Sequence, residues 1–162
     1  MPELRELLTR AGFDDVRTYV QSGNIVLASG ASPERVAEEV NRLIKKAFAI
    51  DVPVLVRSQR ELAQVVRRNP LQKVAVDPKR YLVTFMSAEL SKAVVQRMRA
   101  VAGPQEDFSV IGRQVYSWHP AGVGRSPLWE RLAGKALGIT ATSRNWTTVS
   151  TLLAMAGDSI PR

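Results

Sequence analysis

Cysteine is absent from this sequence of 162 residues, and histidine occurs only once, at His119. The absence of cysteine excludes disulfides and thiolate metal ligands. A single histidine then leaves little from which to build a zinc site, which takes roughly three or four protein ligands. We therefore predict neither a metal site nor a cofactor.

Long apolar runs are also missing, since no stretch approaches the roughly 20 residues that cross a membrane. The stretch Met1–Leu7 is charged and amphipathic and does not resemble a signal peptide, which has a basic region followed by an apolar one. We therefore expect a cytoplasmic protein with no membrane partner. The sequence leaves the oligomeric state open.

Positive charge is in excess, with 23 Lys and Arg against 15 Asp and Glu and a formal net charge of +8. Such an excess favours anionic partners, either a small anionic or phosphorylated ligand or a nucleic acid. The basic runs are short, however, and none resembles the polybasic tails or helices that bind nucleic acid strongly. Nucleic acid is therefore the less supported partner, and charge spread over solvated helix faces is the alternative explanation.

Hydrophobic periodicity and turn residues predict an α+β protein of two small halves, residues 1–72 and 73–162. In the first half we expect a helix at 2–11, a hairpin of strands 16–21 and 24–28, and a second helix at 33–48. A strand at 52–57 and a third helix at 58–69 follow. In the second half we expect a strand at 81–86, a helix at 87–102 and a hairpin of strands 108–111 and 114–118. Two helices follow, at 127–137 and 142–156.

The order of elements in the first half becomes the split βαβ of a ferredoxin-like fold if one strand is placed before its first helix. That opening strand is central in a ferredoxin-like sheet. Without it, the strand predicted at 52–57 has no pairing partner and an apolar sheet edge is open. We therefore interpret the protein as two ferredoxin-like halves, the first of which lacks its opening strand.

A glycine-containing loop at Gly122–Pro127 is the first candidate binding element. Its glycines allow close backbone approach, Arg125 offers a bidentate guanidinium, and Ser126 precedes a helix whose free N–H groups attract anions. The competing interpretation is an ordinary turn in which Arg125 pairs with a nearby carboxylate.

The stretch Ala141–Val149 (ATSRNWTTV) is the second candidate, and we predict that it forms the first turn of the last helix. Thr142 or Ser143 would cap that helix, with Arg144 and Asn145 projecting from its first turn. Because the helix dipole disfavours a cation at this end, an anionic ligand would explain Arg144 there. The alternative is a capped helix with Trp146 in the core and Arg144 in an internal ion pair.

His119 follows a predicted strand and could act as a general acid or base near neutral pH. This is the basis of a rival hypothesis, an enzyme that acts on an anionic ligand. A lone histidine is more often structural, and no nucleophile-elbow pattern accompanies this one. A third hypothesis uses strand aromatics such as Tyr81 and Tyr116 to stack nucleic-acid bases, although core packing explains them more simply.

Three segments of the sequence together resemble the Domain of Unknown Function 1697 family of bacterial proteins: Tyr19–Asn24 (YVQSGN), Gly124–Ser126 (GRS) and Ala141–Val149. The resemblance implies two small α+β halves and supplies no catalytic residues. The family's usual opening strand, followed by a loop of the Gly-Ile-Asn-Val-Gly-Gly type, has no counterpart in this sequence, in agreement with the strand missing from the first half.

Overall fold

The structure is a computed structural model that describes residues 1–20, 23–133 and 135–157. Helices alternate with antiparallel strands in two separate sheets, which confirms the predicted α+β class. The chain divides into two compact units. The first comprises residues 1–63 and the described residues after 150, and the second comprises residues 64–150. The division into domains at 1–72 and 73–162 stays a prediction.

The first unit contains two helices, a hairpin and the start of a third helix: α1 (Pro2–Arg10), β1 (Asp14–Tyr19), β2 (Asn24–Ala28), α2 (Pro33–Phe48) and the beginning of α3 (Gln59–Arg68). Local chemistry sets the helix starts. Ser32 accepts a hydrogen bond from the Arg35 amide at the start of α2. Ser58 and Glu61 form a capping box at α3, each accepting from the other's amide, at 3.1 and 2.7 Å.

The two strands of the first unit form a sheet of their own, in which Thr18 pairs with Ile25 and Tyr19 with Asn24. One face of this sheet and the apolar stripes of α1 and α2 form a small core centred on four buried residues: Leu8, Val16, Val36 and Val40. Gln21, the last residue of the strand predicted at 16–21, and Ser22, in the predicted turn after it, lie outside the described residues.

The strand predicted at 52–57 is not formed. These residues have no regular secondary structure and no strand partner among the described residues, although Val54 and Val56 pack against the core of the first unit. Their apolar composition suits a strand, but a strand also needs a neighbour to satisfy its backbone, and the described residues provide none here.

The second unit carries the larger sheet and three further helices: β3 (Tyr81–Met86), α4 (Lys92–Val101), β4 (Asp107–Ile111), β5 (Gln114–Trp118), α5 (Pro127–Leu132), β6 (Ala141–Asn145) and the start of α6 (Trp146–Gly157). The strands lie in the order β4-β5-β3-β6, and all neighbouring strands are antiparallel. All six residues of β3 are buried, because the strand is paired on both edges and covered on both faces.

The two faces of this sheet pack against different elements. On one face, Met86 and Val115 join the apolar side chains of α4 and α5 in the main core. On the other face, the Tyr116 hydroxyl donates to the Val65 carbonyl of α3, and Tyr81 stacks on Trp146 of α6 at 4.7 Å between ring centroids. Trp146 is therefore partly covered.

The last helix begins later than predicted. Residues 141–145 form β6 along the edge of β3 rather than the first turn of a helix, so the predicted start at residues 142–143 is wrong. The stretch is rich in hydroxyl groups that would cap a helix, but the free edge of β3 offers it a full ladder of backbone hydrogen bonds instead. The helix start moves to Trp146. Among the described residues, no helix is both long enough and apolar enough to cross a membrane.

Candidate functional site

Arg144 lies on the edge strand β6, where its side chain is half-buried. Its guanidinium donates to the Thr142 hydroxyl at 2.6 Å and to the Ser143 carbonyl at 2.8 Å. These bonds fix the direction in which the cation points. Burial lowers the pKa of Arg144 from its usual value, because desolvation disfavours the charged form.

The structure separates the predicted site residues of this stretch. Neighbouring residues of a strand point to opposite faces, so Arg144 shares a face with Thr142, while Ser143 and Asn145 point the other way. The Ser143 hydroxyl hydrogen-bonds that of Thr84 across the strand pair at 2.7 Å. Asn145 caps α6 by accepting from the Thr148 amide at 2.9 Å. Both residues therefore have structural roles.

The two predicted binding residues of the glycine-containing loop, Arg125 and Ser126, also differ in their surroundings. Arg125 ends a single 3₁₀ turn, Val123–Arg125, and is exposed. Ser126 is buried and caps α5, with its hydroxyl accepting from the Trp129 amide at 2.9 Å. Gly122 has a positive φ of 82°, a conformation that favours glycine and sets the entry to this turn. Of the two candidates, only Arg125 faces solvent.

His119 is the centre of a buried polar cluster and is only 1% exposed. Its Nδ1 lies 2.8 Å from the Ser126 hydroxyl, and its Nε2 lies 2.8 Å from the Ser117 hydroxyl. The Ser126 hydroxyl in turn donates to the carboxylate of Glu106 at 2.6 Å. The four side chains thus form a chain of hydrogen bonds that connects β5, α5 and the loop before β4.

The hydrogen-bond pattern of this cluster does not prepare Ser126 to act as a nucleophile. Because the Ser126 proton points to Glu106, the serine oxygen accepts from His119 Nδ1–H, and Nε2 is left to accept from Ser117. A base would instead need to take the serine proton. Burial lowers the pKa of His119, with the nearby Glu106 opposing the shift, so the ring is neutral at pH 7.

Sequence reasoning missed three members of these networks: Thr84, Glu106 and Ser117. Ser117 and His119 are two residues apart along β5 and its extension, and that spacing could have indicated a shared face. Glu106 and Thr84 carry no local signal, since they meet their partners only through the folding of distant segments.

The clefts and aromatic residues of the structure bear on the other hypotheses. Shallow clefts lie beside α1 on the described surface, and one of about 260 Å³ is lined partly by Glu6, Arg10 and Phe48. None of the predicted site residues lines either cleft. Five aromatic residues on the strands of the second unit are buried and present no open face for base stacking: Tyr81, Phe85, Phe108, Tyr116 and Trp118.

Comparison with known proteins identifies the family. The family described as "Protein of unknown function (DUF1697)" matches residues 1–116. The chain belongs to this family. The match confirms the resemblance drawn from the sequence; it includes Tyr19–Asn24 and ends before the two later segments.

A solved structure supports the fold of this DUF1697 protein. A conserved bacterial protein from Streptococcus pneumoniae aligns with a TM-score of 0.71 and 19% sequence identity, covering 96% of this chain and 88% of the other. At that identity the likeness concerns the fold alone. None of the curated proteins compared with the chain matches it.

Proposed function

We propose that this DUF1697 protein is a binding module for a small anionic or phosphorylated ligand, and that Arg144 is the residue that binds the anion. The observation that carries the proposal is the half-buried guanidinium held in one direction by Thr142 and Ser143. A cation fixed in partly dehydrated surroundings binds an anionic oxygen more strongly than a freely solvated one.

The strand geometry selects the partners of Arg144. Thr142 lies on the same face and can donate its hydroxyl proton to an anionic oxygen while it accepts from the guanidinium. Ser126, Ser143 and Asn145 hydrogen-bond within the protein and are not assigned to the ligand. Arg125 is proposed as a separate, weaker contact, because an exposed guanidinium gains less from a single anion.

The rival hypotheses have less support. An enzyme that uses His119 as acid or base would need a route from solvent to the ring, but His119 is buried and both its nitrogens are hydrogen-bonded. A nucleic-acid surface based on stacking would need exposed aromatics, and those of the sheet are in the core.

The experiment is a titration of the protein with inorganic phosphate and with a phosphomonoester, followed by NMR chemical shifts. We expect saturable shifts around β6 and a loss of affinity of about tenfold or more in Arg144→Gln, as one charge-assisted hydrogen bond is worth about 1.5–3 kcal/mol. Arg97→Gln is the matched control, because Arg97 is an exposed arginine of α4 in the same unit. Equal affinities of wild type, Arg144→Gln and Arg97→Gln would refute the role of Arg144.

We also infer that the second unit is a ferredoxin-like half. Its chain order is strand, helix, strand, strand, helix, strand, and its first strand lies between the third and the fourth in the sheet. That combination is the split βαβ arrangement.

A further inference from the structure

The excess positive charge of the protein lies in one of its two units. Residues 64–150 contain 13 Lys and Arg against five Asp and Glu, whereas residues 1–63 contain nine of each and residues 151–157 contain none. The formal net charge of +8 is therefore that of the second unit, while the described part of the first unit is neutral. The electrostatic field of such a protein attracts a polyanion to its second unit.

The largest group of cations in the second unit lies in residues 67–80 (RRNPLQKVAVDPKR), which we name the basic segment. It contains a single carboxylate and five cations, all of them exposed: Arg67, Arg68, Lys73, Lys79 and Arg80. Asp77 lies 3.7 Å from Arg80, and no described carboxylate forms an ion pair with the other four cations. Four positive charges of the basic segment therefore have no counterion in the described part of the protein.

The fold brings together the two basic pairs at the ends of this segment. Asn69 has a positive φ of 27°, so the chain changes direction where α3 ends. The Tyr81 hydroxyl donates to the side chain of Asn69 at 2.9 Å. Because residues 67–68 directly precede Asn69 and residues 79–80 directly precede Tyr81, this bond holds the two pairs close together. Two basic runs that are short and separate in the sequence thus become neighbours in the structure.

Hydrogen bonds also fix the end of the basic segment on the second unit. The Arg80 guanidinium donates to the Pro120 carbonyl, and the Arg80 carbonyl accepts from the His119 amide at 3.0 Å. The Pro78 carbonyl accepts from the Trp146 amide at 3.1 Å. The exposed cations therefore project from a backbone that is already ordered, which reduces the entropy lost when a partner binds.

We propose that the basic segment binds the phosphate backbone of double-stranded nucleic acid. A duplex carries one negative charge for about every 1.7 Å of its axis, so several neighbouring cations contact it at once. The guanidinium groups of Arg67 and Arg68 suit this partner, because they donate two parallel hydrogen bonds to phosphate oxygens. The proposal is independent of the anion site at Arg144.

The composition of the basic segment favours a duplex over the other polyanions. Binding of single strands uses exposed aromatic side chains on which the bases stack, and the segment contains no aromatic residue. A protein partner would be favoured by a contiguous apolar patch. Val74 and Val76 are exposed, but two isolated valines do not form such a patch.

The test is a titration of a labelled duplex of mixed sequence with the full chain, followed by fluorescence anisotropy at several salt concentrations. Each cation that contacts a phosphate contributes about −0.9 to the slope of log affinity against log salt, so we expect a slope of about −4. The affinity should then fall by about a hundredfold or more between about 50 and 200 mM salt. In the wild type, the duplex should also shift the NMR signals of amides in residues 72–80.

Two variants with equal net charge locate the contact. The first removes the four cations of the basic segment that have no described carboxylate partner: Arg67→Gln, Arg68→Gln, Lys73→Gln and Lys79→Gln. The second is the matched control and removes four exposed cations elsewhere in the same unit: Lys92→Gln, Arg97→Gln, Arg131→Gln and Lys135→Gln. We expect the first variant to bind the duplex at least tenfold more weakly than the second, and its salt slope to be smaller by about 3. Circular dichroism should show both variants folded, because all the replaced side chains are exposed.

Several results would overturn the proposal. Equal losses of affinity in the two variants would assign the attraction to the charge of the whole unit rather than to the basic segment. Binding of polyglutamate as tightly as the duplex would identify an acidic protein as the class of partner, and tighter binding of a single strand would exclude the duplex. Absence of binding at about 50 mM salt, or an affinity that does not change with salt, would exclude phosphate contacts.

Discussion

The strand β3 and the segment 52–57 have similar apolar content and very different surroundings. β3 is hydrogen-bonded on both edges to β5 and β6, and all six of its residues are buried. Segment 52–57 is half-buried at Val54 and Val56, and no described strand pairs with it. The difference teaches that strand formation depends on available neighbours as much as on residue type.

Hydrogen exchange should give the largest contrast between these two stretches. Amides of β3 are expected to exchange only through global unfolding, whereas those of Val54–Val56 need little or no opening, so their protection should differ by about a thousandfold or more. NMR or mass spectrometry on the free protein measures this. Equal protection would show that segment 52–57 has a hydrogen-bonding partner in solution.

Truncation of one apolar side chain in each sheet compares how much the two sheets contribute to stability. Met86→Ala in β3 removes a fully buried side chain and should lower the free energy of unfolding by about 2–5 kcal/mol. Leu27→Ala in β2 removes a half-buried side chain and should cost about 1 kcal/mol. Urea unfolding followed by circular dichroism measures both. A greater loss in Leu27→Ala would reverse the ranking of the two sheets.

The only histidine of the sequence, His119, lies in the second unit. The effect of its titration on stability is therefore a property of that unit. Burial lowers the pKa of folded His119 below the unfolded value of about 6.5, so the unfolded chain binds the proton more readily. Stability should therefore be full above pH 6.5 and fall as the pH is lowered below it.

Replacement of the ring checks this expectation. His119→Gln should be destabilised by about 1–3 kcal/mol at pH 7.5, because buried hydrogen bonds to Ser117 and Ser126 are broken, and it should lose the pH dependence just below 6.5. Thermal unfolding at a series of pH values is the measurement. An unchanged slope in the variant would assign the titration to other groups.

The smallest expected difference in stability between the two units comes from their helix caps. Asn145→Ala removes a half-buried cap in the second unit and should cost about 1–2 kcal/mol, whereas Ser32→Ala removes an exposed cap in the first unit and should cost about 0.5–1 kcal/mol. Thermal midpoints of both variants decide the ranking. A larger loss in Ser32→Ala would show that exposure does not set the strength of these caps.

The sequence predicted those elements correctly whose structure is determined by residues close together in the chain. Ser58 and Glu61 form a capping box at the start of the helix predicted at 58–69. β3 and β5 begin and end at the predicted residues, and the hairpin before β5 turns at Gly112, whose φ is 57°. In each case the determining residues are neighbours in the sequence.

The predictions from sequence were wrong where pairing with a distant strand determines the structure. Thr142 and Ser143 have the chemistry of helix caps, but β3 provides a ladder of hydrogen bonds from some 60 residues away, and a strand forms. The candidate site changed for the same reason, because the strand turns Arg144 away from Ser143. The contact between Glu106 and Ser126 likewise spans 20 residues and has no local signature.

The stacking of Tyr81 on Trp146 has a spectroscopic consequence. All three tryptophans of the chain, Trp118, Trp129 and Trp146, lie in the second unit, and the first unit has none. Intrinsic tryptophan emission therefore reports on the second unit, and the separation of Tyr81 from Trp146 would change it directly. The two-stranded sheet lies in the unit that carries no tryptophan, so this probe does not report on it directly.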